Sequence, residues 1–215
     1  MIYSWTEIIN VPSKPGVYAW YYSPEITDFD LQDVINKILM FKAANEIDKA
    51  QEIVKFFLNN YLFRFFREDP YHATLSGSLK PKYEGTVEHT PELSEDLVAR
   101  IVDEPERLTT VRQVLEKSTP NFSSPLYIGM SKNLNGRLKT HKKLIEKYCS
   151  QVNPSDFNIK DTEDRDKNFA MRVCSRNIYP ARLSVAINVL EDIGERYVDI
   201  ENILNRIHYP LFGRN

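Results

Sequence analysis

The sequence SPLYIGMSKNLNGRLKTHKKLIEKY, residues 124–148, predicts a short apolar strand followed by a helix with two polar residues on its apolar side. Asn133 suits the N-cap of a helix that runs to about Cys149. On a helical wheel, Arg137 and His141 fall inside the arc of Leu134 and its apolar neighbours, while most of the lysines fall opposite. Because a buried guanidinium costs several kcal/mol unless it is paired, Arg137 needs an anion from this protein or from a ligand.

The last predicted helix, about 195–207, turns a carboxylate toward its apolar side. Its apolar arc consists of Val198, Ile200, Ile203, Leu204 and Ile207. Glu201 lies within this arc, whereas Asp199, Asn202 and Arg206 lie on the polar side. Two interpretations remain open. Arg137 and Glu201 either form an internal salt bridge, or they belong to a site in which a carboxylate binds a divalent metal and a guanidinium binds a phosphate.

The remaining pattern predicts an α+β fold with a large insertion. Strands are expected at 14–22 and 181–191, in addition to the one that ends at Gly129, because these stretches are rich in aromatic and β-branched residues. Between the first two strands, helical periodicity covers about 30–67, 92–103 and 106–117, and a hairpin or extended loop covers 69–89. The charged stretch 158–168 is predicted to be a loop. Residues 24–122 therefore form a mostly helical insertion.

Composition gives weaker guidance. The 215 residues carry a formal net charge of -2, which does not mark a nucleic-acid-binding protein. The charge is uneven, with 12 Lys and Arg against 18 Asp and Glu in 24–122, and 15 against 11 in 123–215. Cys149 and Cys174 are not expected to form a disulfide framework or a zinc site. No signal peptide or membrane span is evident, so a reducing cytoplasmic location without membrane association is expected.

Five sequence elements in a fixed order resemble the GIY-YIG nuclease superfamily. They are GVY at 16–18, YIG at 127–129, Arg137, His141, and Glu201 on a final helix that precedes Asn215. The resemblance covers about 12–22 and 123–215, roughly half of the chain. It implies a small three-stranded antiparallel sheet flanked by helices, formed by 1–23 and 123–215. The two tyrosine motifs lie much further apart here than is usual in the family, and insertions at exposed turns are thermodynamically tolerable.

The family resemblance implies a DNA endonuclease that hydrolyses phosphodiester bonds with Mg²⁺ or Mn²⁺. It implies that Glu201 binds the metal, that Arg137 stabilises negative charge on the phosphate, and that Tyr18 positions or deprotonates the attacking water. Tyr127 and His141 would orient the phosphate or assist proton transfer.

Gly129 and Asn215 would support the site structurally. The lysines in the predicted helix and in the segment just before it would either contact the DNA backbone or form only a solvated face. They are Lys132, Lys139, Lys142 and Lys143.

Other functions remain open from the sequence. A catalytically silent GIY-YIG-like module that binds nucleic acid or protein would retain the same motifs. A third interpretation is a helical interaction protein whose partner binds the acidic insertion, 24–122. If both strands of a duplex are cut, one active site per chain favours a homodimer or two successive nicks.

Overall fold

A computed structural model describes residues 1–78, 80–89, 91–119, 121–150, 165–190 and 197–213. The strands are β1 (Ile2–Ser4), β2 (Gly16–Tyr22), β3 (Tyr71–Gly77), β4 (Lys80–Val87), β5 (Tyr127–Ser131) and β6 (Leu183–Val189). The helices are α1 (Asp28–Ala43), α2 (Ile47–Tyr61), α3 (Glu95–Asp103), α4 (Arg107–Ser118), α5 (Leu134–Cys149), α6 (Arg165–Ser175) and α7 (Tyr197–His208). Short 3₁₀ helices occupy Glu7–Asn10, Phe63–Phe66 and Pro180–Arg182.

The chain divides into two compact units. One consists of Met1–Glu25 and Gln113–Asn215, and the other of Ile26–Arg112. The predicted insertion, 24–122, extends further at its C-terminal end than this second unit does. The boundary therefore lies within α4 and not after it.

The first unit contains an antiparallel sheet of four strands in the order β1-β6-β2-β5, so the prediction of three strands was wrong. The three predicted strands are present as β2, β5 and β6. The additional strand, β1, pairs Ile2 with Ala186 at one edge of the sheet. It has only three residues, too few to show the alternation of apolar and polar residues by which a strand is recognised.

One face of this sheet forms the core of the first unit. On β2, Tyr18, Trp20 and Tyr22 are buried. They align with Ile187, Val185 and Leu183 of β6, which are also buried and lie on the same face because side chains alternate along a strand. Gly16 begins β2 where a Cβ atom would collide with the backbone carbonyl of Asn188. Close strand pairing therefore requires a glycine at this position.

Helix α5 has the limits and the buried face that its sequence predicts. The Asn133 side chain accepts a hydrogen bond from the Gly136 backbone N–H at 3.0 Å and caps the helix. A Cβ atom at Gly136 would lie 3.3 Å from the Asn133 amide nitrogen, so this glycine leaves room for the cap. The buried residues are Leu134, Leu138, His141, Ile145 and Tyr148.

Helix α6 begins inside the stretch that was predicted to be a loop, so that prediction was wrong for 165–168. The buried residues of α6 are Asp166, Phe169, Ala170, Val173 and Cys174. Their spacing matches one face of a helix, but the first member is a carboxylate. A prediction based only on the spacing of apolar residues therefore places the start of the buried face of α6 one helical turn too late.

A disulfide joins Cys149 at the end of α5 to Cys174 of α6, although these cysteines were not expected to form a disulfide framework. The two Cα atoms are 5.0 Å apart, and Cys174 is buried. The sequence does not show this pairing because the two residues are 25 positions apart and only the packing of α5 against α6 brings them together. The bond also weakens the expectation of a reducing environment.

The second unit is mostly helical, and it also contains the antiparallel hairpin of β3 and β4. Helix α2 packs against both α1 and α3, and its buried residues include Val54 and Phe57. The predicted helical stretch 30–67 is interrupted after α1, where Asn45 adopts a left-handed conformation with φ 61°. Strands β3 and β4 confirm the hairpin alternative for 69–89. No helix in the described ranges is long and apolar enough to cross a membrane.

The disulfide should stabilise the first unit measurably. Replacing both Cys149 and Cys174 by Ser should lower its free energy of unfolding by about 3 kcal/mol, because the cross-link restricts the unfolded chain. Trp5 and Trp20, the two tryptophans of the chain, lie in this unit, so tryptophan fluorescence during urea unfolding reports on it alone. Reductant should destabilise the wild type but leave the double variant unchanged. Equal stability of oxidised wild type and variant would contradict the prediction.

Candidate functional site

Tyr18 and Tyr127 lie side by side on neighbouring strands of the sheet. Tyr18 of β2 pairs with Gly129 of β5, and Trp20 pairs with Tyr127. The ring centroids of the two tyrosines are 6.2 Å apart. The pairing of β2 with β5 thus brings together both tyrosine motifs identified in the sequence.

Gly129 has a steric reason to be a glycine. A Cβ atom there would lie 2.5 Å from the Tyr18 hydroxyl and 2.8 Å from Cε1 of Tyr127. Real Cβ atoms do not approach other atoms so closely. The Tyr18 ring therefore crosses the β5 backbone at a position that only a glycine leaves open.

Arg137 of α5 reaches both Tyr18 and a carboxylate. Its Nε donates to the Tyr18 hydroxyl at 3.4 Å, and its Nη1 forms an ion pair with Asp166 Oδ2 at 2.5 Å. Burial lowers the pKa of Arg137, but the Tyr18 oxygen and the Asp166 carboxylate outweigh it, so the pKa is raised overall. The anion that the helical wheel required for Arg137 is thus Asp166, and not Glu201.

His141 lies one helical turn after Arg137 on α5 and is completely buried. The indole N–H of Trp20 donates to His141 Nδ1 at 3.1 Å, so Nδ1 is the unprotonated nitrogen. The other nitrogen, Nε2, lies 3.1 Å from Asp166 Oδ1 and 3.3 Å from the Tyr18 hydroxyl. In the neutral ring Nε2 therefore carries the proton. Since His141 has no exposed surface, its ring contacts other residues of the protein and not solvent.

Asp166 is a residue of this site that the sequence pattern did not predict. It lies in the first turn of α6, and its side chain is 11% exposed. One carboxylate oxygen meets Arg137 and the other meets His141. The available signal was its spacing from Phe169, Ala170 and Val173, which places it on the buried face of α6.

Burial raises the pKa of the Tyr18 phenol well above its ordinary value, and neighbouring Tyr127 raises it further. Arg137 opposes this shift only in part. At neutral pH Tyr18 is therefore protonated. In the arrangement described here, its hydroxyl is a hydrogen-bonding group and not a base.

Glu201 lies on α7, which packs against β5 and β2, the strands that carry Tyr127 and Tyr18. It is half-buried together with Ile200, Leu204 and Asn205. The predicted apolar arc of this helix is only partly correct, because Ile203 is 57% and Ile207 is 62% exposed. Asn215, the predicted support residue, lies outside the described residues. The described part of the chain contains no group of three or more His, Cys, Asp or Glu suited to hold a metal ion.

The predicted DNA-binding lysines differ in their surroundings. Lys132, Lys139 and Lys143 are exposed. The Lys142 ammonium instead donates to the backbone carbonyl of Trp5 at 3.1 Å and lies 5.1 Å from the centre of the Trp5 ring. Lys142 thus ties α5 to the N-terminal segment.

No protein-family model, curated protein or solved structure matches this chain. What the structure defines is an α+β protein with a four-stranded and a two-stranded antiparallel sheet. Any functional assignment therefore depends on the residues around Arg137.

Replacing Gly129 by Ala should disrupt this arrangement. The added methyl group displaces the Tyr18 ring, and we expect a loss of about 1–3 kcal/mol in the free energy of unfolding. Urea unfolding followed by circular dichroism measures the loss. Gly85→Ala is the matched control, because a Cβ atom at this exposed position meets nothing within 4 Å. If both variants are as stable as the wild type, the close approach of Tyr18 to Gly129 is wrong.

Proposed function

We propose that this protein is a divalent-metal-dependent DNA endonuclease of the GIY-YIG type, which hydrolyses phosphodiester bonds. The observation that carries the proposal is the contact between Arg137 and Tyr18. These residues are 119 positions apart, and the same contact region includes Tyr127 on the adjacent strand. Four residues that resemble the family motif, Tyr18, Tyr127, Arg137 and His141, thus meet around a partly exposed cation.

Arg137 is the residue best placed to bind a phosphate. Its Nε and Nη1 groups are engaged by Tyr18 and Asp166, whereas Nη2 has no hydrogen-bond partner among the described residues. The side chain is 35% exposed, so solvent and an anion can reach it. A guanidinium held in place before the reaction stabilises the negative charge that develops on the phosphate in the transition state.

The two tyrosines support this cation. Tyr18 is nearly fully buried, and its hydroxyl fixes the Nε side of the guanidinium. Tyr127 packs against Tyr18, with Phe169 of α6 at a ring distance of 5.0 Å. Because Tyr18 is protonated at neutral pH, we propose that it positions groups by hydrogen bonding and does not remove the proton of the attacking water.

Glu201 is the proposed ligand for the metal. A single carboxylate fits Mg²⁺ or Mn²⁺ when water and phosphate oxygens supply the other ligands. When bound, the ion supplies Lewis-acid stabilisation and a more acidic water. With one protein ligand, metal affinity should be weak unless DNA is bound.

One observation favours the catalytically silent module as the second candidate. Asp166 already balances the charge of Arg137, so the guanidinium does not depend on a phosphate to be stable. A silent module would bind DNA without metal and without turnover.

Loss of the Arg137 side chain or of the Glu201 side chain should abolish cleavage. Arg137→Ala should reduce the cleavage rate by about 10³-fold or more, because charge stabilisation in phosphoryl transfer is lost. Glu201→Ala should abolish the metal-dependent rate. The assay uses plasmid and branched DNA with Mg²⁺, Mn²⁺ or EDTA.

Arg206→Ala and Asp199→Ala are matched controls for these variants, since both residues are exposed on α7. They should cleave like the wild type. Normal cleavage by Arg137→Ala or Glu201→Ala would show that the assigned site is wrong. DNA binding without cleavage by the wild type would favour the silent module.

The exposed lysines should contribute electrostatically to DNA binding. Lys139→Gln combined with Lys143→Gln should weaken binding to all DNA sequences and reduce the salt slope of log K by about 2, one for each lost phosphate contact. Fluorescence anisotropy across a salt series measures this slope. Lys37→Gln with Lys49→Gln, two lysines on exposed surface of the second unit, is the matched control. Identical slopes for all proteins would exclude Lys139 and Lys143 from the DNA-binding surface.

A further inference from the structure

Asp166 connects the two polar residues that α5 directs into the protein. Its Oδ2 pairs with Arg137 Nη1 at 2.5 Å, and its Oδ1 lies 3.1 Å from His141 Nε2. A buried carboxylate is costly unless both its charge and its hydrogen-bonding capacity are satisfied. Here the guanidinium satisfies the charge and the imidazole N–H satisfies the other oxygen. The positions of Arg137, Asp166 and His141 are therefore mutually dependent.

The orientation of His141 is itself fixed from the opposite side. The Trp20 indole can only donate a hydrogen bond, so the imidazole must present Nδ1 to it as an acceptor. The two rings are also nearly coplanar, with an interplanar angle of 12°, as this in-plane hydrogen bond requires. As a result Nε2 carries the proton, and it lies closer to Asp166 Oδ1, at 3.1 Å, than to the Tyr18 hydroxyl, at 3.3 Å. A continuous set of contacts runs from Trp20 through His141 and Asp166 to Arg137.

We propose that Asp166 is a positioning residue that presents Arg137 to a phosphate. This inference rests on the proposed nuclease function for the identity of the anion. Asp166 holds Nη1 while Tyr18 holds Nε, and these two contacts together with the side chain itself restrict the orientation of the guanidinium. The Nη2 group is then available as a donor to a phosphate oxygen. The Asp166 side chain is only 11% exposed, so in this role it acts through Arg137.

The alternative role for Asp166 is an inhibitory one, in which its carboxylate competes with the phosphate for Arg137. Two observations favour positioning. The carboxylate is also bound to buried His141, so it does not leave Arg137 without breaking a second contact. Its contact occupies Nη1 only, and therefore a phosphate oxygen can bind Nη2 without displacing it.

The test is Asp166→Asn, which removes the charge and nearly preserves the shape. We expect kcat for DNA cleavage to fall about 100-fold with KM changed less than threefold, because a misplaced catalytic group affects the transition state more than binding. Asp199→Asn, the same change at an exposed site, should leave both values unchanged. In the Arg137→Gln background, Asp166→Asn should cause no further loss. A tenfold additional loss there, or an unchanged kcat in the single variant, would overturn the proposal. Increased cleavage by Asp166→Asn would instead establish the inhibitory role.

A second readout does not depend on activity. In the wild type, the Arg137 Nη1–H that Asp166 accepts should give a separate, slowly exchanging signal in a ¹H–¹⁵N spectrum, assigned by its absence in Arg137→Lys. In Asp166→Asn this signal should merge with those of the mobile arginines, and its persistence unchanged would overturn the proposal. If the wild type cleaves no DNA, the nuclease function fails, while this signal still decides whether Asp166 holds Arg137. If Asp166→Asn does not fold, Asp166→Glu retains the charge but shifts the carboxylate, and the same losses are expected.

Discussion

The buried carboxylate of Asp166 is the constraint on which the arrangement of the first unit depends. Burying a charge is tolerated only when an opposite charge and hydrogen-bond donors surround it. Arg137 and His141 provide these from α5, and Trp20 of β2 fixes the ring that makes the second contact. Helices α5 and α6 and the central strand are therefore held in one relative position. The Cys149–Cys174 disulfide adds a covalent connection between the same two helices.

This constraint separates the roles of residues that looked equivalent in the sequence. Arg137 and His141 lie one turn apart on α5, yet only Arg137 retains an exposed surface. Burial also keeps Tyr18 protonated, so its hydroxyl serves as a hydrogen-bonding group at neutral pH. The resulting site has one solvent-accessible cation, Arg137. Three buried polar side chains support it: Tyr18, His141 and Asp166. Such an arrangement fits stabilisation of a phosphate by a fixed charge better than proton transfer by His141 or Tyr18.

The distance between the two tyrosine motifs is explained by the division of the chain. The second unit, Ile26–Arg112, occupies the sequence between β2 and β5, and these strands still pair along five residues of register. The pairing is maintained because Tyr18 and Tyr127 bury their rings on one face and Gly129 allows their close approach. A long insertion adds little entropic cost once the ends of the loop are joined by such contacts. The proposed site therefore belongs to one unit, whatever role the insertion has.

The sequence by itself determined the strands β2, β5 and β6, the limits of α5, and the burial of polar residues on its inner face, because these depend on local periodicity and capping. It also indicated that Arg137 required an anion. Only the tertiary structure decided that this anion is Asp166, since the two residues lie on different helices and the carboxylate interrupts the apolar pattern of α6. The same applies to the edge strand β1 and the disulfide. Each depends on a partner distant in sequence, and local patterns carry no information about which distant residue will pack against them.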